Sequence, residues 1–257
     1  GINVVHHAPD VGEHLQDHLF CKVVYGTKPE HSINREVQGL NLIPAALKWF
    51  FLRQGPLTTG SAPVGAFWHT RAGLEAPDVQ IHFASGGTLY NNAGKIQAMK
   101  EPAITAVVNQ SRPESRGSIH IKSANMADAP AISANYLSSP LDQDTLLKGM
   151  RILLDVFQQS DLRPYLKQRL SPSENVDVNS DDDLMAYIRD EASTVYHPTS
   201  TCSIGKVVDP NLGVMGLEGL SVIDASVMPY VVSGNTNAAT IMLAEKGADL
   251  LLAARAS

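Results

Sequence analysis

The sequence predicts an α+β fold, and three observations carry the prediction. Strand-like segments fill the middle of the chain and read as antiparallel. Helical periodicity is gathered after them. The two ends each carry a β-like element and a turn that read as parts of a different sheet. The expected architecture is an antiparallel sheet with flanking helices, plus terminal segments that complete a second structure.

Taken in order, residues 1–20 read as a strand end (Ile2 to Val5), a turn at Pro9-Asp10, and the run Val11 to His18. Gly12 suits a turn, and the Asp17 carboxylate is expected to bond local backbone. Residues 41–53 have helical spacing, with Leu42, Ala46, Trp49 and Phe50 along one side. Pro44 falls in the first turn, where it is tolerated, and Gly55-Pro56 ends the helix. Strands are predicted over Gly65 to Thr70, Val79 to Ala84 and residues 103–110. Gly117 to Ser123 alternates as a strand with one wet face, and Ile132 to Tyr136 follows a loop. Ser139-Pro140-Leu141-Asp142 has the composition of a helix start, after which Leu146, Met150, Leu153 and Phe157 recur at helical spacing. Ser180 with Asp183 marks another capped start, leading through Leu184, Tyr187 and Ile188. Leu220 to Ile223 reads as a strand and Asn237 to Ala254 as a long helix. Trp49, Trp68, His82, Phe83 and Tyr90 read as core packing.

Composition narrows the function. The chain has 257 residues, 44% hydrophobic and 18% charged, enough for one large domain or two small ones. The formal charge is −6 with no dominant basic patch, so nucleic acid is not an expected partner. The apolar stretches are short and interrupted, so no transmembrane span is expected. The first residue is Gly1, already inside a β-like run, and the chain reads as the later part of a longer protein. Two cysteines, Cys21 and Cys202, are too few for a disulfide scaffold or a cysteine zinc site and read as buried thiols. None of the nine histidines forms an HExxH pair. His14 and His18 are four apart but lack a carboxylate third ligand in register, so no metal site is expected.

The chemistry concentrates in the last quarter. Val222-Ile223-Asp224-Ala225-Ser226 reads as a strand running into a small-residue turn, where backbone approaches a ligand closely. The helix from Asn237 presents free N–H groups and a partial positive charge at its start. Pro198 forces His197 out of the helical region. Asn235 sits in a turn between Gly234 and Thr236. Alone, each residue reads as ordinary scaffold. Together they offer a base and a hydrogen-bond donor, which alcohol oxidation requires. The accompanying hydride needs a cofactor, because no side chain accepts one.

The stretch from Tyr196-His197-Pro198 through Thr201-Cys202-Ser203-Ile204-Gly205 resembles the HPxGTCxMG-like motif of the glucose–methanol–choline (GMC) flavoprotein oxidoreductases. Val208-Asp209-Pro210 through Asp224-Ala225-Ser226-Val227-Met228-Pro229 is similar to that family's next segment, and Ser233-Gly234-Asn235-Thr236-Asn237 through Lys246 to its C-terminal signature. Val11-Gly12-Glu13-His14-Leu15-Gln16-Asp17-His18 resembles its VGxNLxDH segment. The resemblance runs over essentially the whole chain. It implies that His197 is the catalytic base beside the flavin and that Asn235 is its partner. It implies FAD contacts from Asp224 and Ala225 through backbone, from Asn235, Thr236 and Asn237 near the isoalloxazine ring, and from Tyr196. Departures from the pattern are Ser200 for Gly, Ser203 for a basic residue, Ile204 for Met, Ala239 for Pro and His14 for Asn. No GxGxxG strand-turn-helix is present to hold the FAD pyrophosphate.

The resemblance therefore implies the C-terminal part of an FAD-dependent, choline dehydrogenase-like alcohol dehydrogenase or oxidase. It is expected to act with a companion N-terminal FAD-binding segment or chain on a small-molecule alcohol. Residues 1–20 and 193–257 would complete a Rossmann-like α/β FAD-binding domain, and residues 21–192 would form the substrate-binding domain. Two other readings stay open at this point: a hydroxynitrile lyase of the same fold, with a passive flavin, and an inactive fragment or binding module.

Overall fold

In the computed structural model, which describes residues 3–60, 62–90 and 96–256, the chain divides into two compact units. One contains residues 20–110 and 144–193. The other gathers residues 1–19, 111–143 and 194–257. The segment 111–143, which the sequence reading put in the substrate domain, thus clusters with the two ends.

The first unit is built on an antiparallel sheet. Strand β1 is Leu19–Thr27, and helix α1, Leu42–Leu52, follows it. Then come β2 (Val64–Trp68), β3 (Val79–Ala84), β4 (Thr88–Tyr90), β5 (Ile96–Ala98) and β6 (Ala103–Gln110). The strands β1, β6, β3 and β2 lie side by side in that order, in register Val23↔Ala106, His82↔Val107 and Ala66↔Ile81. β1 is buried along its whole length. Its lysine, Lys22, is accommodated by an ion pair to Glu191 at 2.9 Å. This strand was not predicted. A run buried on both faces shows no period-2 alternation to find.

β7 (Ser118–His120) and β8 (Ala131–Ser133) pair as a small antiparallel ribbon in the second unit. Both are shorter than the sequence suggested. Helix α2, Pro140–Gln158, begins at the predicted Pro140. Its Leu146, Met150, Leu153 and Phe157 are all essentially buried, as their spacing requires. A Cβ on Gly149 would come within 2.9 Å of Val108, so the glycine lets α2 lie close against β6. Phe157 stacks between Tyr25 and Phe83, with centroids 4.7 and 6.0 Å away. β9 (Leu166–Ser171) pairs with β1. Helix α3, Asp181–Glu191, is capped by the Ser180 side chain accepting from the Asp183 N–H, and β10 is the short Ser193–Thr194. Trp49 and Trp68 are exposed rather than in the core, while the side chain of Tyr90 lies outside the described part of the molecule.

The second unit is held together differently. Asn3 to Val5 carries no regular structure, against the expected strand, and Ile2 is outside the described residues. Leu15 exchanges two backbone hydrogen bonds with Gly117, and Gln16 exchanges two with Thr199. Leu220 to Ile223 is not a strand. It makes a single antiparallel bridge, Gly213↔Ser221, because the hairpin beside it offers only one rung. Asp224 then caps a short 3₁₀ turn at Ala225–Val227, its carboxylate accepting from the Ser226 N–H at 2.7 Å. A small core of Val207, Val208, Leu212, Val214 and Val227 fills the centre, with Ile223, Leu243 and Leu250 against it. Helix α4, Asn237–Ala256, supplies the last two. A Cβ on Gly247 would lie 2.3 Å from Ile223, so this glycine lets α4 sit against the segment leading into Asp224-Ala225.

Candidate active site

The His197 loop is positioned by backbone from both ends of the chain. The Val195 N–H donates to the His18 carbonyl and the Thr199 N–H to the Gln16 carbonyl. Residues 16–18 therefore run beside residues 195–199. Further along, the Cys202 N–H donates to Ser226 O and the Ile204 N–H to Val227 O, each at 2.9 Å. These bonds tie the histidine loop to the Asp224-Ala225 turn, which α4 contacts from its other side.

Asp17 anchors the loop. Its Oδ1 accepts from the His197 backbone N–H at 2.8 Å, and its Oδ2 from the hydroxyls of Tyr136 and Thr194. The expectation that Asp17 bonds local backbone is thus corrected: its partners are all remote in sequence. Burial, reinforced by the bond to Asp17, pushes the Tyr136 hydroxyl well above the usual tyrosine range.

His197 is 8% exposed. Its Nε2 lies 3.4 Å from Asn235 Nδ2, and its Nδ1 lies 2.9 Å from His18 Nδ1. The two rings meet edge-on, at 82° and 5.1 Å between centroids. His18 is fully buried, and its Nε2 lies 3.2 Å from the carbonyl oxygen of Ser111. Burial drives the His18 pKa down to about 4, against a smaller rise from the Ser111 carbonyl. Burial also lowers the pKa of His197, against the raising influence of the Asp17 charge. Both imidazoles are therefore neutral near pH 7, and a neutral His197 is competent to take a proton.

Of the residues singled out by sequence, the structure brings His197 and Asn235 within 3.4 Å of each other. Tyr196 precedes His197 at φ 62° and is exposed. Asp224, Asn235 and Asn237 are also exposed, Ala225 is half-buried and Thr236 is buried. Thr236 starts α4 by accepting from the Thr240 N–H and hydroxyl, both at 2.9 Å. The first N–H groups of α4 have no acceptor within the helix, so this end offers donors and a partial positive charge. Gly234 and Ala238 flank this start in sequence. Donors of this kind can face the carbonyl edge of a planar electron-accepting ring.

Two neighbours of His197, Asp17 and His18, receive no site role from sequence, although they stand in the Val11–His18 segment. The available signal was an adjacent acid and imidazole directly before a wholly buried strand. His14 and His18, four residues apart, do not share a helix face, because residues 14–18 are not helical and His14 has φ 63°. Among the described residues no group of three or more His, Cys, Asp or Glu side chains is placed to hold a metal ion. No helix among them is long and apolar enough to cross a membrane.

The departures from the family pattern have a structural logic. Ser200 replaces Gly at φ 76°, and His14 replaces Asn at φ 63°, so both fall in the left-handed region that Gly and Asn favour. His14, Ser203 and Ile204 line one cleft of about 400 Å³, together with Arg116, Lys206 and Tyr230. Lys206 Nζ lies 2.9 Å from His14 Nε2, so a cation stands close to the place where Ser203 has displaced one.

The family model of the GMC oxidoreductases matches residues 113–244. The oxygen-dependent choline dehydrogenase of Pseudomonas aeruginosa (strain LESB58) is 38% identical over 252 residues, covering 96% of this chain and 44% of that protein. An alcohol dehydrogenase [acceptor] of Pseudomonas putida is 38% identical over 260 residues, covering 98% of this chain and 46% of that protein. The chain therefore spans less than half the length of these relatives. Among solved structures, a formate oxidase from Aspergillus oryzae RIB40, studied for its FAD modification, superposes with a TM-score of 0.89. That match has 24% identity and covers 98% of this chain and 49% of the oxidase.

Proposed function

The chain belongs to the GMC oxidoreductase family, and on that footing we propose that it is the C-terminal part of an FAD-dependent enzyme that oxidises an alcohol to a carbonyl compound. The observation that carries the proposal is the pair His197 and Asn235, 3.4 Å apart beside the start of α4. A companion N-terminal segment supplies the pyrophosphate-binding element that these residues lack. Residues 1–20 and 193–257 complete the FAD-binding domain, and residues 21–192 form the substrate-binding domain.

Tyr196, Asp224, Ala225, Asn235, Thr236 and Asn237 would hold the flavin end of FAD, with the N–H donors at the α4 start available to it. When bound, FAD supplies the hydride acceptor, through N5, that no side chain provides. The chain's own groups do the rest. Asn235 donates a hydrogen bond to the alcohol oxygen and holds it against His197. His197 takes the hydroxyl proton. As negative charge grows on the oxygen, the Asn235 bond strengthens, and that difference lowers the barrier. The carbon then gives up its hydride and the carbonyl product leaves. Asp17 keeps the base in place through its backbone.

The test is anaerobic reduction of the full-length flavoprotein by a panel of primary alcohols, followed by flavin absorbance. The native protein bleaches with at least one alcohol, and His197→Ala bleaches far more slowly. An absorbance unchanged by every alcohol overturns the oxidoreductase reading and restores the passive-flavin alternative. Equal bleaching by His197→Ala overturns the assignment of the base.

A further inference from the structure

We propose that His18 is a positioning residue for this reaction: it fixes the proton of His197 on Nδ1, so that Nε2 presents the free lone pair. The inference rests on the reading of His197 as the base and adds what keeps it in the competent form.

The argument is a count of hydrogens. The two ring nitrogens of His18 lie out of water and have His197 Nδ1 and Ser111 O as their nearest hydrogen-bonding neighbours, with a smaller backbone contribution from Val232. Nε2 is 3.2 Å from Ser111 O, which only accepts. Nδ1 is 2.9 Å from His197 Nδ1. Such a distance between two nitrogens requires one hydrogen between them. His18 is neutral and owns a single ring hydrogen. If that hydrogen stood on Nδ1, the Nε2 lone pair would face the Ser111 carbonyl in a buried place, acceptor against acceptor. The hydrogen therefore stands on Nε2, His18 Nδ1 accepts, and His197 Nδ1 donates. His197 Nε2 is left with its lone pair, and Asn235 Nδ2, a donor, lies opposite it at 3.4 Å. One carbonyl oxygen thus sets the tautomer of one imidazole, and that imidazole sets the tautomer of the next.

Burial supports the same assignment. A protonated His18 would donate from both nitrogens and could not accept from His197, and its low pKa keeps that form away at working pH. The charged group that faces both rings is Asp17. The Val232 backbone makes a further, smaller contribution that favours protonated His18. When the alcohol proton arrives on His197 Nε2, both nitrogens of that ring carry hydrogen. The Nδ1–H bond to neutral His18 then stabilises the resulting imidazolium. The O–H bonding pair stays on oxygen and becomes the second bond of the carbonyl as the hydride leaves carbon.

The experiment uses the full-length flavoprotein with bound FAD and measures anaerobic reduction by its alcohol across the acid limb of the pH profile. Native protein, His18→Phe, His18→Asn and His197→Ala are compared. Phe fills the space without an acceptor, whereas Asn returns an amide oxygen near the old Nδ1 position. His18→Phe is expected to lower the limiting reduction rate by about 10- to 100-fold, with little change in alcohol affinity. Its acid limb is expected at lower pH, because the imidazolium of His197 has lost its acceptor. His18→Asn should recover most of the rate and return the limb toward its native place. If the Phe and Asn variants lose rate alike and the limb does not move, His18 merely fills space and the proposal falls. If His197→Ala reduces at the native rate, the reading of the base fails instead, whatever the His18 variants do. A measurement on the native protein needs no His18 variant to fold. In ¹⁵N-histidine spectra, the signals lost in His197→Ala should show Nδ1 protonated and Nε2 bare. The opposite pattern overturns the proposal.

Discussion

The main core of the sheet unit and the surroundings of His197 solve burial in opposite ways. In that core the largest fully buried side chains are apolar: Leu146, Met150, Leu153 and Phe157 from α2, with Val23, Val79 and Val108 from the strands. Around His197 the deepest side chains are polar. Gln16, Asp17, His18, Ser111, Thr199, Ser200 and Ser203 are all buried. Apolar packing is non-directional and asks for volume and periodicity. Buried polar groups ask for particular partners in particular directions, and each lost partner leaves a desolvated group behind. The site unit therefore trades tolerance for definition. It holds an imidazole at a fixed angle and in a fixed protonation state, which a greasy core does not do.

The contrast is best broken at its two centres. His197→Ala should cost about 10²- to 10⁴-fold in the rate of flavin reduction, the usual worth of a general base, with a smaller loss of stability of about 1–3 kcal/mol from the His18 nitrogen it leaves unpartnered. Stopped-flow absorbance and a thermal scan on the same sample separate the two. Phe157→Ala should do the reverse. It leaves the reduction rate per folded molecule intact and lowers stability by about 3–5 kcal/mol through the cavity it opens, read from denaturant midpoints.

Acid offers a test that discriminates between the units. Burial brings the pKa of His18 in the fold to about 4, below the ordinary histidine value of 6.5. The folded state thus binds fewer protons than the unfolded one between those values. The stability associated with neutral His18 is fully present above pH 6.5 and is lost as pH falls toward 4. The loss by that point is about 3 kcal/mol, and His18→Asn should flatten this part of the stability curve. Asn235→Ala comes next in size. Its expected effect is a rate loss of about 10- to 100-fold, at the low end of what one oxyanion donor contributes, with the pH profile unmoved. A shifted profile would mean that Asn235 tunes the base rather than holding the substrate.

The same contrast explains what the sequence made legible. β3, β6 and α1 emerged within a residue or two of their observed ends, and α3 at its capped start. α2 was visible from Ser139-Pro140 and its buried stripe. β1 was not, because a strand covered on both faces has no polar phase. Leu220 to Ile223 looked like a strand on composition, yet strandhood needs a neighbour of matching length, and that is a property of the fold. The candidate site was legible through the order of its segments. His197 and Asn235 gained weight from Asp224-Ala225 and the α4 start that accompany them. Asp17 and His18 stayed hidden because their partners, such as Tyr136 at a separation of 119 residues and His197 at 180, are invisible to any local window.

Ser200 sits on left-handed backbone within three residues of His197 and is 1% exposed. A non-glycine residue there costs roughly 1–2 kcal/mol of local strain, partly offset by the greater chain freedom that glycine must surrender. One substitution at this position can thus relieve strain close to His197. Ser200→Gly should raise the melting temperature modestly, with a net gain of up to about 1 kcal/mol, and leave turnover unchanged. For anyone engineering the enzyme, that makes position 200 a place to bank robustness before making riskier changes to the pocket.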